Sequence, residues 1–170
     1  MKKIGILIII STLFVSIIAF LAIKIQKNNS ERNLFADELL SIPSIEVYDL
    51  NNKPLRLDSL CVGEKIIIVC FDTDCELCHI EAREFGRLQN EFEDSQVVFI
   101  SNNTVDEINK FIIDNGLENS SYMFLNDRDF LLIMNYNIPT MPFMLLYIDN
   151  KLHNSYKGGI NIEQIIKDKR

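Results

Sequence analysis

Lys65-Ile66-Ile67-Ile68-Val69-Cys70-Phe71-Asp72-Thr73-Asp74-Cys75-Glu76-Leu77-Cys78 is the stretch that decides the fold. Its first half is a continuous apolar, β-branched run, the pattern of a strand buried on both faces. Its second half opens a helical pattern, because Cys78, Ala82, Phe85, Leu88 and Phe92 recur at spacings of three and four. Cys75 therefore stands at a strand-to-helix junction with Cys78 one turn on. A helix start offers free N–H groups and a partial positive charge, both of which favour a thiolate. Two thiols so placed suit thiol–disulfide exchange, in which one attacks a disulfide and the other resolves the mixed disulfide.

Working outward, the order of elements is mixed. Ile45, Val47 and Tyr48 suggest a strand, Asn51-Asn52 a turn, and Leu55 with Leu57 a return strand. Val97 to Ile100 reads as the next buried strand after the cysteine helix. Thr104 caps a helix carrying Ile108, Phe111 and Ile112, with Glu107 completing a capping box and Gly116 stopping it. Tyr122 to Leu125 suggests a short strand, and Asp127 caps a helix through Leu131, Leu132 and Met134. Phe143 to Ile148 is a strand, Asp149-Asn150 a turn, Leu152 to Tyr156 its hairpin partner, and Ile162, Ile165 and Ile166 mark a closing helix. Alternating strands and helices imply an α/β domain with a sheet covered on both faces.

Residues 4–23 form an uncharged apolar run, long enough to span a bilayer core as a helix. The run exceeds the usual signal-peptide core, lacks an A-x-A site, and is not followed by a lipoprotein cysteine. It reads as an N-terminal membrane anchor, with a cleaved signal segment as the alternative. The short positive start, Lys2-Lys3, places the N-terminus inside and exports the rest. The domains expected are 1–27 anchor or signal, 28–42 linker or short helix, and 43–170 the folded domain.

All 24 acidic residues and 13 of the 17 Lys and Arg lie beyond Ser30, so that part carries a net charge of −11. Such a charge argues against nucleic acid or an anionic membrane surface as a partner. Four cysteines, Cys61, Cys70, Cys75 and Cys78, fall within 18 residues. A redox pair plus two further thiols is simpler than a disulfide scaffold in a domain large enough to need no staples. A zinc site would need four ligands, and no second CxxC is present. No metal is expected. Cys75-Glu76-Leu77-Cys78-His79 also matches the haem c attachment pattern, which keeps a covalent haem carrier as an alternative. A redox-silent binding module is the third reading.

With Phe71-Asp72-Thr73-Asp74-Cys75-Glu76-Leu77-Cys78, Val47-Tyr48-Asp49-Leu50 with Leu57, Glu81, and Tyr136-Asn137-Ile138-Pro139-Thr140-Met141-Pro142 in hand, the chain resembles the thioredoxin superfamily. It looks most like membrane-anchored thioredoxin-like proteins of the TlpA/ResA type, over roughly residues 43–169. The resemblance implies a thioredoxin-like fold with a central mixed sheet, flanking helices and an N-terminal β-hairpin extension. It implies a catalytic pair, Cys75 as nucleophile and Cys78 as resolving thiol, with no cofactor beyond their disulfide. Glu81 matches an acidic residue of that branch and is the candidate proton relay. Pro142, with Pro139 as rival, is the candidate cis-proline, beside which Met141 would guide a client chain. The implied partners are client proteins with disulfides or thiols, apocytochrome c cysteines among them. A membrane thiol electron donor of the DsbD/CcdA kind would re-reduce the pair.

The chain also departs from the pattern. Asp74 stands where the family often has Trp, and Val69 where thioredoxins carry a buried Asp. Related peroxidases use Pro-x-x-x-Thr/Ser-x-x-Cys, where this chain has Ile68 and Asp72, so peroxidase activity is not expected. Asp72, Asp74 and Glu76 oppose the helix dipole, which predicts a reductant rather than a strong oxidant. Cys70 is expected to be a core residue, Cys61 to be exposed, and His79 to be an ordinary surface histidine.

Overall fold

β-Branched residues at Ile66–Val69 lose little in the extended conformation and present apolar groups to both sides, so they form an interior strand of the sheet. The computed structural model describes residues 16, 17, 19, 20, 40–135 and 138–168. The chain divides into Met1–Asp37 and Glu38–Arg170, and the elements below belong to the second unit. In chain order they are β1 (Glu46–Tyr48), β2 (Pro54–Arg56), α1 (Leu57–Leu60), β3 (Lys65–Cys70), α2 (Glu76–Arg87), a 3-10 turn (Gln89–Phe92), β4 (Gln96–Ser101), α3 (Val105–Asp114), β5 (Met123–Asn126), α4 (Leu131–Asn135), β6 (Phe143–Ile148), β7 (Lys151–Lys157) and α5 (Ile162–Asp168).

Seven strands form one mixed sheet in the order β2-β1-β5-β4-β3-β6-β7. β3 pairs parallel with β4, and β4 parallel with β5. β6 runs antiparallel to β3 and to β7. The β1–β2 hairpin joins the same sheet through Tyr48 opposite Asn126. The sheet's alternation sends Ile67, Val69 and Phe71 to one face, where they pack with Cys78, Ala82 and Phe85 of α2, Phe111 of α3 and Ile165 of α5. Ile66, Ile68 and Cys70 turn to the opposite face and are equally buried. The parallel half of the sheet thus ends where β3 delivers the cysteine loop, the usual place for a site in such sheets.

Local signals explain most boundaries. Thr104 accepts the N–H of Glu107, and the Glu107 carboxylate accepts the N–H of Thr104, so the capping box of α3 is complete. Gly116 takes φ +68 just past the helix. The Asp127 carboxylate accepts the N–H groups of Leu131 and Leu132 at the start of α4. Asp149 and Asn150 both have positive φ, as a tight β6–β7 hairpin requires. Two expectations are corrected. Leu57 does not extend the return strand; it is fully buried at the start of α1, and burial of its side chain outweighs the strand pattern. The cysteine helix does not run to Phe92 but stops at Arg87, and a 3-10 turn carries Phe92 into the core.

The apolar run at 4–23 and the short helix expected at Leu34–Leu40 lie outside the described residues, except for helical residues 16, 17, 19 and 20 and for Leu40. Among the described residues no helix is long and apolar enough to cross a membrane. Tyr136-Asn137 also lies outside them.

Candidate functional site

Cys75 is the N-cap of α2, with extended backbone angles (φ −85°, ψ 113°) that stop the helix from growing backwards. A cap residue normally offers an oxygen to the free N–H groups of the first turn. Here the thiol takes that place: Cys75 Sγ accepts the Cys78 N–H at 3.3 Å. The same sulfur lies 3.8 Å from the carbonyl oxygen of Met141. The Met141–Pro142 peptide bond is cis, and it brings the start of β6 against the cysteine loop. Pro142 rather than Pro139 holds that position.

The two thiols differ sharply in exposure. Cys75 is half-buried and Cys78 is 2% exposed. Both are free, so the structure is that of the dithiol. Burial, a hydrogen bond with Cys75 and the nearby Glu81 carboxyl push the Cys78 thiol well above its ordinary range. A half-buried thiol beside a fully buried, hard-to-ionise one suits an attacking and a resolving sulfur within reach of each other.

Glu81, one turn beyond Cys78, is 3% exposed. Its Oε1 accepts the Ile160 N–H at 2.7 Å, while Oε2 is buried with no hydrogen-bond partner. Desolvation raises its pKa to about 7, against the pull of the Ile160 bond. Arg83, two residues on, turns away from this carboxyl: its Nη1 donates to Asn115 Oδ1.

The segment Gly158-Gly159-Ile160 ties the site together. Gly158 N–H donates to the Pro142 carbonyl at 2.9 Å, and Ile160 N–H to Glu81. Between them, a Cβ on Gly159 would stand 3.3 Å from the Leu77 side chain, so glycine allows the close approach. The contacts of the two glycines are tertiary, with Pro142 and Leu77.

His79 is also corrected. It is half-buried, with Nε2 at 2.9 Å from the Thr73 carbonyl and Nδ1 against the Asn115 side chain. Its ring packs 4.6 Å from that of Phe111. Cys61 is buried rather than exposed, its thiol pushed up to about 12 by burial with Asp58 adding to the effect. Cys70 is fully buried, as a core residue should be, with Asp127 nearby. Val62 bonds the side chain of Gln96 at the start of β4, whereas Cys70 pairs with Ile100 near its end. Cys61 and Cys70 thus sit at opposite ends of the sheet and do not face each other. Among the described residues no group of three or more His, Cys, Asp or Glu is placed to hold a metal ion.

A thioredoxin-like α/β fold with two free thiols at a helix start, one half-buried and one buried, defines the thiol redox class. The chain belongs to the AhpC/TSA family, whose sequence pattern matches residues 40–158. It is similar in structure to a secreted Mycobacterium tuberculosis disulfide oxidoreductase homologous to E. coli DsbE, with TM-score 0.61 and 17% identity over 74% of this chain and 93% of that one. It is likewise similar to StoA from Bacillus subtilis, with TM-score 0.59 and 16% identity over 75% and 100%. The peroxidoxin BcpB from Mycobacterium tuberculosis matches with TM-score 0.63 and 16% identity over 75% and 92%. At such identities the likeness carries the fold alone. No curated protein sequence matches the chain.

Proposed function

We propose that the protein is a membrane-tethered thiol:disulfide oxidoreductase whose domain faces the extracytoplasmic side and reduces disulfides in client proteins. The observation that carries this reading is the Cys78 N–H on Cys75 Sγ, with the unpartnered Glu81 oxygen buried behind the pair. Cys75 thiolate attacks one sulfur of a client disulfide, forming a mixed disulfide and releasing the other client sulfur as thiolate. Glu81 carboxylate takes the proton from the Cys78 thiol. Cys78 sulfur then attacks Cys75 sulfur, closing the Cys75–Cys78 disulfide and releasing the second client thiolate, which is protonated in turn. Two electrons pass from the pair to the client. A carboxyl with a pKa of about 7 is matched to such a relay near neutral pH.

Met141 and Pro142 line the approach to Cys75, and the Met141 carbonyl, 3.8 Å from its sulfur, offers an acceptor to a client backbone. The pair is re-reduced by a membrane thiol donor of the DsbD/CcdA kind, and apocytochrome c cysteines are among the clients. The apolar run at 4–23 supplies the tether.

Two rival chemistries fit the site less well. Haem attachment through CxxCH asks for a free histidine nitrogen, yet His79 Nε2 is engaged by the Thr73 carbonyl. Peroxide reduction asks for a hydroxyl near the thiolate, but at that place stands Asp72, whose carboxylate accepts the Asp74 N–H at 2.8 Å. An insulin-reduction assay with dithiothreitol, alongside hydrogen peroxide consumption, tests the reading. Insulin reduction lost in Cys75→Ser is the expected result. Peroxide turnover without insulin reduction would overturn it.

A further inference from the structure

Thr73 is the middle of the three-residue loop Asp72-Thr73-Asp74 between Phe71, just past β3, and Cys75, and both its backbone polar groups are held. Its N–H donates to Asn103 Oδ1 at 3.1 Å, and its carbonyl faces His79 Nε2 at 2.9 Å. Asn103 is itself fixed, since Oδ1 also accepts the Ser101 hydroxyl and its backbone carbonyl accepts Asn126 Nδ2. His79 is the second clamp. Its side chain reaches back past the start of its own helix to a residue six positions earlier.

The ring's tautomer follows from its partners. A carbonyl only accepts, so Nε2 carries the proton. Asn115 Oδ1 takes the Arg83 guanidinium, and Asn115 Nδ2 donates to the Phe111 carbonyl at 2.7 Å and faces Nδ1 at 2.9 Å. Asn115 Oδ1 also lies 3.1 Å from Nδ1, so the Asn115 side chain meets that nitrogen with both its polar atoms. The charged groups around it are Arg83 on the same helix and Asp74, Glu107, Lys110 and Asp114 across the adjoining groove. Asn115, 6% exposed, ends α3, so the chain of bonds joins the cysteine loop to a second helix.

We propose that His79 is a positioning residue for the Cys75–Cys78 pair: through the Thr73 carbonyl it fixes the loop that holds Cys75 at the N-cap. This rests on the redox reading above. Cys75 is a sulfur cap with no oxygen to strengthen it, so its place depends on the backbone on either side. The helix fixes one side; the Thr73 clamp fixes the other, together with the Asp72 carbonyl and carboxylate, which accept the N–H groups of Cys75 and Asp74. If the loop is released, Cys75 Sγ loses its registry with the Cys78 N–H, and the thiolate loses a donor that favours it.

The test compares His79→Leu, His79→Asn and His79→Gln in the full chain. Glutamine places its amide nitrogen near Nε2 and keeps a donor for Thr73; asparagine places its amide near Nδ1 and keeps only the Asn115 side. The readouts are the initial rate at which iodoacetamide labels Cys75 at pH 7, located by mass spectrometry, and Tm in parallel. Labelling roughly tenfold slower in the Leu and Asn variants, with Gln within about twofold of the native rate, is expected for loss of a hydrogen bond to a charged group. Native labelling rates in the Leu variant, whatever its Tm, would overturn the proposal. So would equal slowing in the Gln and Leu variants. The native pair is titrated with dithiothreitol in the same series: if it fails to oxidise and reduce reversibly, the redox reading fails, a result separate from the labelling comparison.

Discussion

Glu81 Oε1 accepts the backbone N–H of Ile160 at 2.7 Å, across 79 residues of sequence, and leaves Oε2 buried and unpartnered beside the thiol pair. A single hydrogen bond thus orients the carboxyl without neutralising it. The arrangement is costly for an ionised group, which is what the proposed proton relay at Glu81 rests on.

The cost has a pH signature. The pKa of Glu81 is raised from 4.5 to about 7, so between those values the folded dithiol holds a proton that the unfolded chain has lost. The Glu81 contribution to stability is complete below about pH 4 and is lost as pH rises through 7, by on the order of 3 kcal/mol. Asp127, also raised by burial, adds a slope of the same sign. Urea unfolding of the reduced protein at pH 5 and pH 8 is expected to show the loss, and Glu81→Gln to remove most of it. An unchanged slope in Glu81→Gln would assign the effect elsewhere.

Cys78→Ser is expected to trap clients on Cys75, because the resolving sulfur is gone while the attacking one is intact. Non-reducing gels after mixing with reduced-and-reoxidised substrates should show mixed disulfides in this variant and none in Cys75→Ser. Insulin reduction should fall to background in both. Adducts forming on Cys61 or Cys70 would contradict the assignment, since both are buried.

The two glycines that strap the site should respond differently to alanine. Gly158 has φ +69, which an L side chain adopts at a cost of roughly 1 kcal/mol, although nothing blocks its Cβ. At Gly159 the added methyl meets only Leu77, a side chain 47% exposed and free to swing away. Gly158→Ala is expected to lower stability by about that amount and Gly159→Ala by less than about 0.5 kcal/mol. Chemical denaturation midpoints measure both.

Thr104→Ala removes the side-chain half of the α3 capping box and leaves the Glu107 N–H without its acceptor. A loss of about 1 kcal/mol in unfolding free energy is expected, with insulin reduction unchanged.

Sequence patterns revealed what is local and periodic. Strand β3, the cysteine helix, the Thr104–Glu107 cap, the Asp127 cap and the Asp149-Asn150 turn all rest on contiguous residues or on neighbours no more than five positions apart. Leu57 misled because one apolar residue after a strand fits a strand or a helix start equally, and only its tertiary burial decides. Cys75, Cys78 and Glu81 could be singled out from one turn and a half of helix. Their setting could not: Ile160 lies 79 residues from Glu81, Met141 lies 66 residues from Cys75, and Asn115 lies 36 residues from His79. His79 was visible as the residue after Cys78, but nothing in spacing alone says that its ring turns back to Thr73.

The central claim is that Cys75 and Cys78 form a reducing pair. Its most direct test is the reduction potential of the full chain, read by alkylation across a dithiothreitol or glutathione series. The acidic surroundings, Asp72, Asp74 and Glu76, together with the buried Cys78 thiol, predict a value near or below about −270 mV, the thioredoxin value. A value near about −120 mV would make the protein a disulfide donor and contradict the account.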